Sequence, residues 1–253
     1  MSERLRVEYA VKSDIGTRAE QQDTVSVFDG GDSFFAAAVC DGMGGLNGGS
    51  AASRAAADAF VETVKSRNSD ESISELLLHC VDIMDESVFK LKAPDGSRLD
   101  AGTTVVSVVI ENGGLYWMSV GDSRLYVLRG DEFVRATRDH NYFLSLSEMP
   151  EDYVPGEDEV AKGNALISFI GMGGIDVMDV SSNPVKLYEN DCILLTSDGL
   201  FKALSEEIMK EILSSEGNLN LIADKLIAKC EKLSPNVRDN ISFVLIKIRG
   251  VHK

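Results

Sequence analysis

At 253 residues the chain can bury one sizeable core or two small ones. Lys and Arg number 25 against 41 Asp and Glu, a formal net charge of −16 at pH 7. That balance argues against a nucleic-acid or anionic-membrane binder, whose affinity would rest on basic patches, and assigns most of the acids to solvated helix faces.

Residues 5–12 and 24–28 read as strands, and Gly30-Gly31-Asp32 turns the chain into a buried strand at 34–40. That strand ends on Asp41-Gly42-Met43-Gly44-Gly45. The glycines are expected to turn the backbone tightly and to bring main-chain atoms close to whatever the acid binds. An Ala-rich helix follows at 51–64. A second helix carries Ile73, Leu76, Leu77, Cys80, Val81, Met84, Val88 and Leu91 on one stripe, and Pro94-Asp95-Gly96 ends it. Runs at 105–110, 115–120, 124–128 and 132–135, parted by Asn112-Gly113-Gly114, Gly121-Asp122 and Gly130-Asp131, predict a meander. Periodicity lapses across 141–164, where Pro150, Pro155, Gly156 and Gly163 mix with Glu148, Glu151, Asp152, Glu157, Asp158 and Glu159. A surface flap is expected there, not a separate domain. A buried strand at 192–196, a short helix from Ser205, a longer helix through Leu219, Ile222, Ala223, Leu226, Ile227 and Cys230, and a strand at 241–248 complete the chain. Strand runs and helix pairs in this order predict an α+β fold of antiparallel sheets covered by helices, a single domain over residues 1–253.

Cys40, Cys80, Cys192 and Cys230 show no Cys-x-x-Cys spacing and lie in apolar strands or on helix-period faces, so they read as reduced core thiols of a cytosolic protein. His79, His140 and His252 are too dispersed for a His-rich zinc site. Without a signal-peptide h-region or a membrane-length apolar stretch, the chain reads as soluble and cytoplasmic.

The chemistry concentrates at strand ends. Ser197-Asp198-Gly199 ends one buried run, Gly121-Asp122-Ser123 sits between two others, and Asp239-Asn240 opens the last strand. Each motif alone is a turn as readily as a ligand. Should Asp41, Asp198 and Asp239 meet in one cleft, two carboxylates about 5 Å apart repel by roughly 3 kcal/mol at an effective dielectric near 20. Folding such a cluster implies metal ions, protonation, or both. Hard oxygen ligands suit Mg2+ or Mn2+, and two such ions 3.5–4 Å apart, as a rough guide, would create a hydroxide nucleophile from a bridging water. An acid-and-metal site of this kind favours a phosphate substrate, and Arg18, five residues before Asp23, has the planar fork for bidentate phosphate contact.

In this pattern the chain resembles the type-2C, metal-dependent serine/threonine protein phosphatases, the PPM family, in their compact bacterial form. The resemblance runs in register from about Val7 to Ile248. It is carried by Arg18-Ala19-Glu20-Gln21-Gln22-Asp23, Asp41 to Gly45, Gly102-Thr103-Thr104, Gly121-Asp122-Ser123-Arg124, Thr137 to His140, Leu195-Thr196-Ser197-Asp198-Gly199-Leu200 and Asp239-Asn240-Ile241-Ser242. It implies a four-layer α-β-β-α sandwich with a dinuclear Mn2+ or Mg2+ centre between the sheet ends. By matching motifs, Asp41 bridges both ions, the Gly42 carbonyl ligates the second, and Asp198 and Asp239 hold the first. Asp122 with Asp198 matches a weaker third-ion position, Arg18 matches the arginine that grips the substrate phosphate, and residues 141–164 match the flap that borders the substrate groove.

Two departures from the family pattern bear on this. Gln22 stands where many relatives carry a glutamate ligand, so the second ion is expected to be held more weakly or with more help from Asp23. Met43 stands where some relatives have a histidine, and it cannot protonate a leaving alkoxide, so an ordered water is the expected general acid. The reaction expected is hydrolysis of phosphoserine or phosphothreonine in proteins by attack of a water bridging the two ions, with no covalent intermediate, since neither Cys40 nor Cys192 has a basic partner. The rivals are a catalytically silent pseudophosphatase acting as a binding module, and a two-metal hydrolase of nucleotides or small phosphoesters. Loss of ligand acids would signal the first, and Asp41, Asp198 and Asp239 are all retained; a Gly-rich loop with Lys would signal the second, and the chain lacks one. The expected partner is a phosphorylated protein, either the target of a serine/threonine kinase or the kinase itself, or an anti-sigma partner-switching protein. The acidic flap points to a basic phosphosite, and monomer is the default state.

Overall fold

The computed structural model describes residues 5–31, 34–45, 48–150, 153–236 and 238–250. Asp32, Glu151, Asp152 and His252, named above, lie outside them. In chain order the elements are β1 (Leu5–Asp14), β2 (Asp23–Asp29), β3 (Phe34–Gly44), α1 (Gly48–Lys65), α2 (Ile73–Phe89), β4 (Ala101–Thr103), β5 (Val105–Glu111), β6 (Gly114–Val120), β7 (Arg124–Arg129) and β8 (Glu132–Arg135). Then come α3 (Tyr142–Ser147), α4 (Glu157–Ala161), β9 (Asp179–Val180), β10 (Val185–Lys186), β11 (Cys192–Thr196), α5 (Asp198–Ala203), α6 (Glu206–Leu213), α7 (Leu219–Leu233) and β12 (Ile241–Gly250).

Two antiparallel sheets result. One runs β1-β12-β11-β7-β8, and the other runs β10-β6-β5-β3-β2, with β4 added to β3 and β9 to β6. Strand alternation explains the layering. Along β3, Phe35, Ala37 and Val39 face Leu125, Ile193, Leu195, Val244 and Ile246 of the opposite sheet, which forms the central core. Ala36, Ala38 and Cys40 face the other way, onto Ala52, Ala56 and Phe60 of α1 and the apolar stripe of α2. On the outer face of the other sheet, Leu128, Leu194, Phe243 and Leu245 meet Leu200, Met209, Leu226 and Cys230 of α5–α7. The four layers are therefore helices, sheet, sheet, helices. All four cysteines are buried and unpaired, as expected of core thiols. Among the described residues no helix is long and apolar enough to cross a membrane.

Local signals set the helix ends. Ser72 and Glu75 form a reciprocal capping box at α2, and the side chain of Asn218 accepts from the Leu221 amide at 2.9 Å to start α7. Asp85 lies on the buried stripe of α2, and its carboxylate accepts from the amides of Gly171 and Gly173 at 2.6 and 3.3 Å. The glycine loop after residue 170 is thus pinned to α2, and a charge that would be costly inside is given main-chain donors.

Three expectations are corrected. The strand at 34–40 does not end at Asp41: β3 runs on to Gly44, with Asp41 opposite Asp23 of β2 and Gly42–Gly44 paired to Ala101–Thr103 of β4. Gly42 serves close approach and not a turn, because a Cβ there would stand 2.1 Å from the Gly49 carbonyl oxygen at the start of α1, while Gly45 beyond the strand is in a turn. The expected meander is split, with β5 and β6 in one sheet and β7 and β8 in the other. Gly121, at φ +100°, lets the chain cross between them, and its missing Cβ leaves room for Thr104. A helix unforeseen in the sequence, α5, begins directly at Asp198. The segment at 141–164 holds two short helices, α3 and α4. The hydroxyls of Tyr142 and Tyr153 both donate to Glu159, at 3.0 and 2.7 Å, so one of its acids is spent on its own structure.

Gly42→Ala should cost about 3 kcal/mol or more, because the new methyl meets backbone that no side-chain rotation can clear. Gly45→Ala should cost far less, since a methyl group there would meet nothing within 4 Å. Urea unfolding of the two variants checks this, and equal losses would contradict the backbone-contact reading.

Candidate active site

The acids are brought together where the two sheets end. Asp23 and Asp41 are cross-strand partners on β2 and β3, Asp122 lies in the crossover between sheets, Asp198 opens α5, and Asp239 precedes β12. Burial raises the Asp41 carboxyl well above the usual range, and the charges of Asp23, Asp198, Asp122 and Asp239 push it the same way. Four of the expected ligands therefore act electrostatically on the fifth. Asp23 is also raised, chiefly by burial, against the pull of the Ser197 hydroxyl that donates to its Oδ2 at 2.7 Å. Asp122 is raised to about 6 by burial and the charge of Asp198, with Lys202 drawing it back.

The main chain around these acids is held by neutral groups. The Thr103 hydroxyl and the Thr104 amide both donate to the Asp41 carbonyl at 2.9 Å, while the Thr104 hydroxyl reaches Ser123 Oγ at 2.7 Å. This ties Asp41 to the crossover that carries Asp122. Asn240 does the same for the loop of Arg18 to Gln22: its Oδ1 accepts from the Gln22 amide at 2.8 Å, and its Nδ2 donates to the carbonyls of Ile15 and Glu20. His140 is fully buried and accepts from the Gly121 amide on Nδ1 at 3.1 Å, which leaves its proton on Nε2, 3.6 Å from Asp179. It anchors the root of the flap to the crossover. Asp139 takes both ends of the Arg124 fork, at 2.9 and 2.6 Å, so this pair is structural. The sequence alone assigns no role to the side chains of Asn240 or Ser197, whose bonds link segments more than 170 residues apart and leave no local pattern.

Arg18 reaches the site. Its Nη2 donates to Asp239 Oδ2 at 2.7 Å, and its side chain remains 60% exposed. Lys202, one turn along α5, pairs with Asp198 Oδ2. The Gln22 amide nitrogen lies 3.3 Å from Glu20 Oε2 and 3.4 Å from the Gly44 carbonyl, which directs its nitrogen away from ligand duty and leaves its oxygen for it. Among the described residues no three His, Cys, Asp or Glu side chains converge on one point at ligand distance, and Asp198 and Asp239 each pair with a cation instead. The donor set still fits divalent ions in its chemistry. Oδ1 of Asp23 and Oδ1 of Asp198 are buried with no hydrogen-bond partner, and hard carboxylate oxygens in a repelling cluster favour Mg2+ or Mn2+ over protons at neutral pH.

Comparison with known proteins agrees with this geometry. The family model described as protein phosphatase 2C matches residues 12–215. The serine/threonine phosphatase stp of Listeria innocua is 30% identical over 236 residues, 91% of each chain. Among solved structures, the serine/threonine phosphatase of S. agalactiae superposes with a TM-score of 0.79 at 24% identity, covering 96% of this chain and 99% of that one. The catalytic domain of the phosphatase PstP, solved in complex with two manganese ions, gives 0.75 at 24% identity over 97% of this chain and 99% of its own.

The raised Asp122 carboxyl sets a pH dependence. Its folded value of about 6 lies above the ordinary 3.8, so the folded state holds extra protons between those values. Stability is therefore lost as pH climbs through that window and stays lower above it. Chelator-treated Asp122→Asn should match the chelator-treated parent near pH 4 and exceed it above pH 6 by up to roughly 3 kcal/mol, two pK units at 1.36 kcal/mol each. Parallel curves of unfolding midpoint against pH would contradict this.

Proposed function

The chain belongs to the protein phosphatase 2C family, and on that premise we propose that it hydrolyses phosphoserine and phosphothreonine in proteins with two divalent ions, Mn2+ or Mg2+. The observation that carries the reading is the gathering of Asp23, Asp122, Asp198 and Asp239 near enough to Asp41 for all four charges to act on its carboxyl, within a chain of the protein phosphatase 2C family. In this proposal the ions would be held by Asp41, Asp198 and Asp239, with the Gly42 carbonyl, Gln22 Oε1 and Asp23 in support. When bound, the two ions supply an acidified water as nucleophile and positive charge against the phosphate oxygens.

The chain's own groups do the rest. Arg18 exchanges Asp239 for the phosphate, since its exposed guanidinium is free to swing and offers a bidentate edge. Met43 carries no proton to give, so the leaving alkoxide takes one from an ordered water. A covalent cysteine route is disfavoured: burial and the charges of Asp23 and Asp41 push the Cys40 thiol far up, and burial pushes Cys192 up to about 11. Thr103, Thr104 and Asn240 hold the backbone around the carboxylates, and Ser197 orients the Asp23 carboxylate directly, which positions the reacting groups. A single catalytic domain with a flap at 141–164, working as a monomer in the cytoplasm opposite a serine/threonine kinase, completes the proposal.

Hydrolysis of a phosphothreonine peptide is expected with Mn2+ or Mg2+ and is expected to stop with EDTA. Asp198→Asn should lower kcat/KM by about 10²-fold or more, by analogy with removal of one preorganised charge contact. Arg18→Ala should act mainly on KM. A folded protein with no turnover under any metal would overturn the reading and leave a silent binding module.

A further inference from the structure

Lys202 is the feature that the two-ion reading does not use. It sits four residues after Asp198 on α5, on the same helix face, and its ammonium pairs with Asp198 Oδ2. The Asp198 side chain is only 13% exposed, so this is a largely desolvated carboxylate with a cation already in place. The second acid beside that cation is Asp122, whose carboxyl feels the Lys202 charge directly. Asp122 and Asp198 are the two residues that the family resemblance assigns to a third, weaker metal position.

The segments bearing these groups are locked together. Arg124, two residues after Asp122, stacks its guanidinium on the ring of Phe201 at 3.7 Å, and Phe201 is the residue before Lys202. Arg124 is itself held by both oxygens of Asp139. The crossover and α5 cannot drift apart without breaking this stack, so the Lys202–Asp198 pair keeps its place beside the segment that bears Asp122.

We propose that Lys202 is a built-in cation standing in for the third metal ion, so that this chain binds two divalent ions and excludes a third. The inference rests on the two-ion reading. A monovalent ammonium on a covalent tether neutralises Asp198 on the side of Asp122, contributes three donors and no acceptor, and repels any dication that approaches the same pair. Lysine suits this role because its charge is compact and its stem flexible.

The test is a metal count. Metal-free protein is titrated with Mn2+, and bound ion is measured by equilibrium dialysis with elemental analysis and by the loss of the free Mn2+ resonance. Expected is saturation at two Mn2+ per chain for the parent, three for Lys202→Asp, and a return to two for Lys202→Asp combined with Asp122→Asn, which separates the site from adventitious binding to an acidic surface. Lys202→Met, which keeps the stem and drops the charge, should also admit a third ion and covers the case in which the aspartate variant does not fold. A third ion on the parent, or a count of two in both single variants, would overturn the proposal while leaving the two-ion reading intact. A parent that binds fewer than two ions would remove both.

Discussion

The structure is organised around a concentration of negative charge that it must hold together while folded. Five carboxylates gather at the seam between two sheets, and burial makes Asp23, Asp41 and Asp122 harder to ionise. Nothing in the acids themselves favours that arrangement. The free energy for it comes from the apolar layers beneath: the central core between the sheets, and the two outer cores under the helices. The acids sit at strand ends because there the apolar layers stop and side chains can face a cleft without losing contact with the framework.

Neutral hydrogen bonds then do what charge cannot. Asp41 is fixed through its main chain by Thr103 and Thr104, and the loop carrying Gln22 is fixed by Asn240. Asp23 is oriented by Ser197, whose own amide is bound to the Ser242 carbonyl at 2.9 Å. The Thr103, Thr104 and Asn240 bonds remove backbone freedom that repulsion would otherwise exploit, and the Ser197 hydroxyl alone among these groups donates to a carboxylate oxygen. Charge compensation is delegated to Arg18 and Lys202, which take hold of Asp239 and Asp198 respectively. Arg18 is a long, exposed side chain that can yield to a phosphate more cheaply than a buried partner could, while Lys202 is tethered one helical turn from the acid it pairs with.

Much of this was legible in the sequence, and the parts that were not share a cause. The stripe of Ile73 to Val88 and the alternation along 34–40 are local signals written by one burial face each, and the helix and strand they predict are present. The acids at strand ends were legible because an Asp between a buried run and a glycine has few other uses. What failed was partnership. The hairpin-like spacing of 115–120 and 124–128 is the same whether the two strands share a sheet or face each other across the core, and only the Gly121 conformation and the fit of Thr104 against it decide the matter. Similarly, Asp41-Gly42 reads as a strand end followed by a turn, while the real reason for the glycine is a carbonyl of α1 arriving from seven residues on. Lys202 escaped notice because α5 was not anticipated, and without that helix its spacing from Asp198 carries no meaning.

The overall acidity bears on how a substrate is met. A phosphorylated segment is itself an anion, and a chain of net charge −16 repels it at long range, by an amount that salt screens within about 8 Å at physiological ionic strength. On the proposed function, recognition would be made at contact distance, by Arg18 and by ions held among the aspartates, and not by steering. The acids of the flap do not all face the substrate: Glu159 is consumed by Tyr142, Tyr153 and the Gly156 amide. On the proposed function, those that remain would match phosphosites flanked by basic residues, because such a segment arrives with its charge already offset and only the phosphate itself has to be paired. Selectivity would then be a short-range electrostatic balance, set by two tethered cations against five carboxylates.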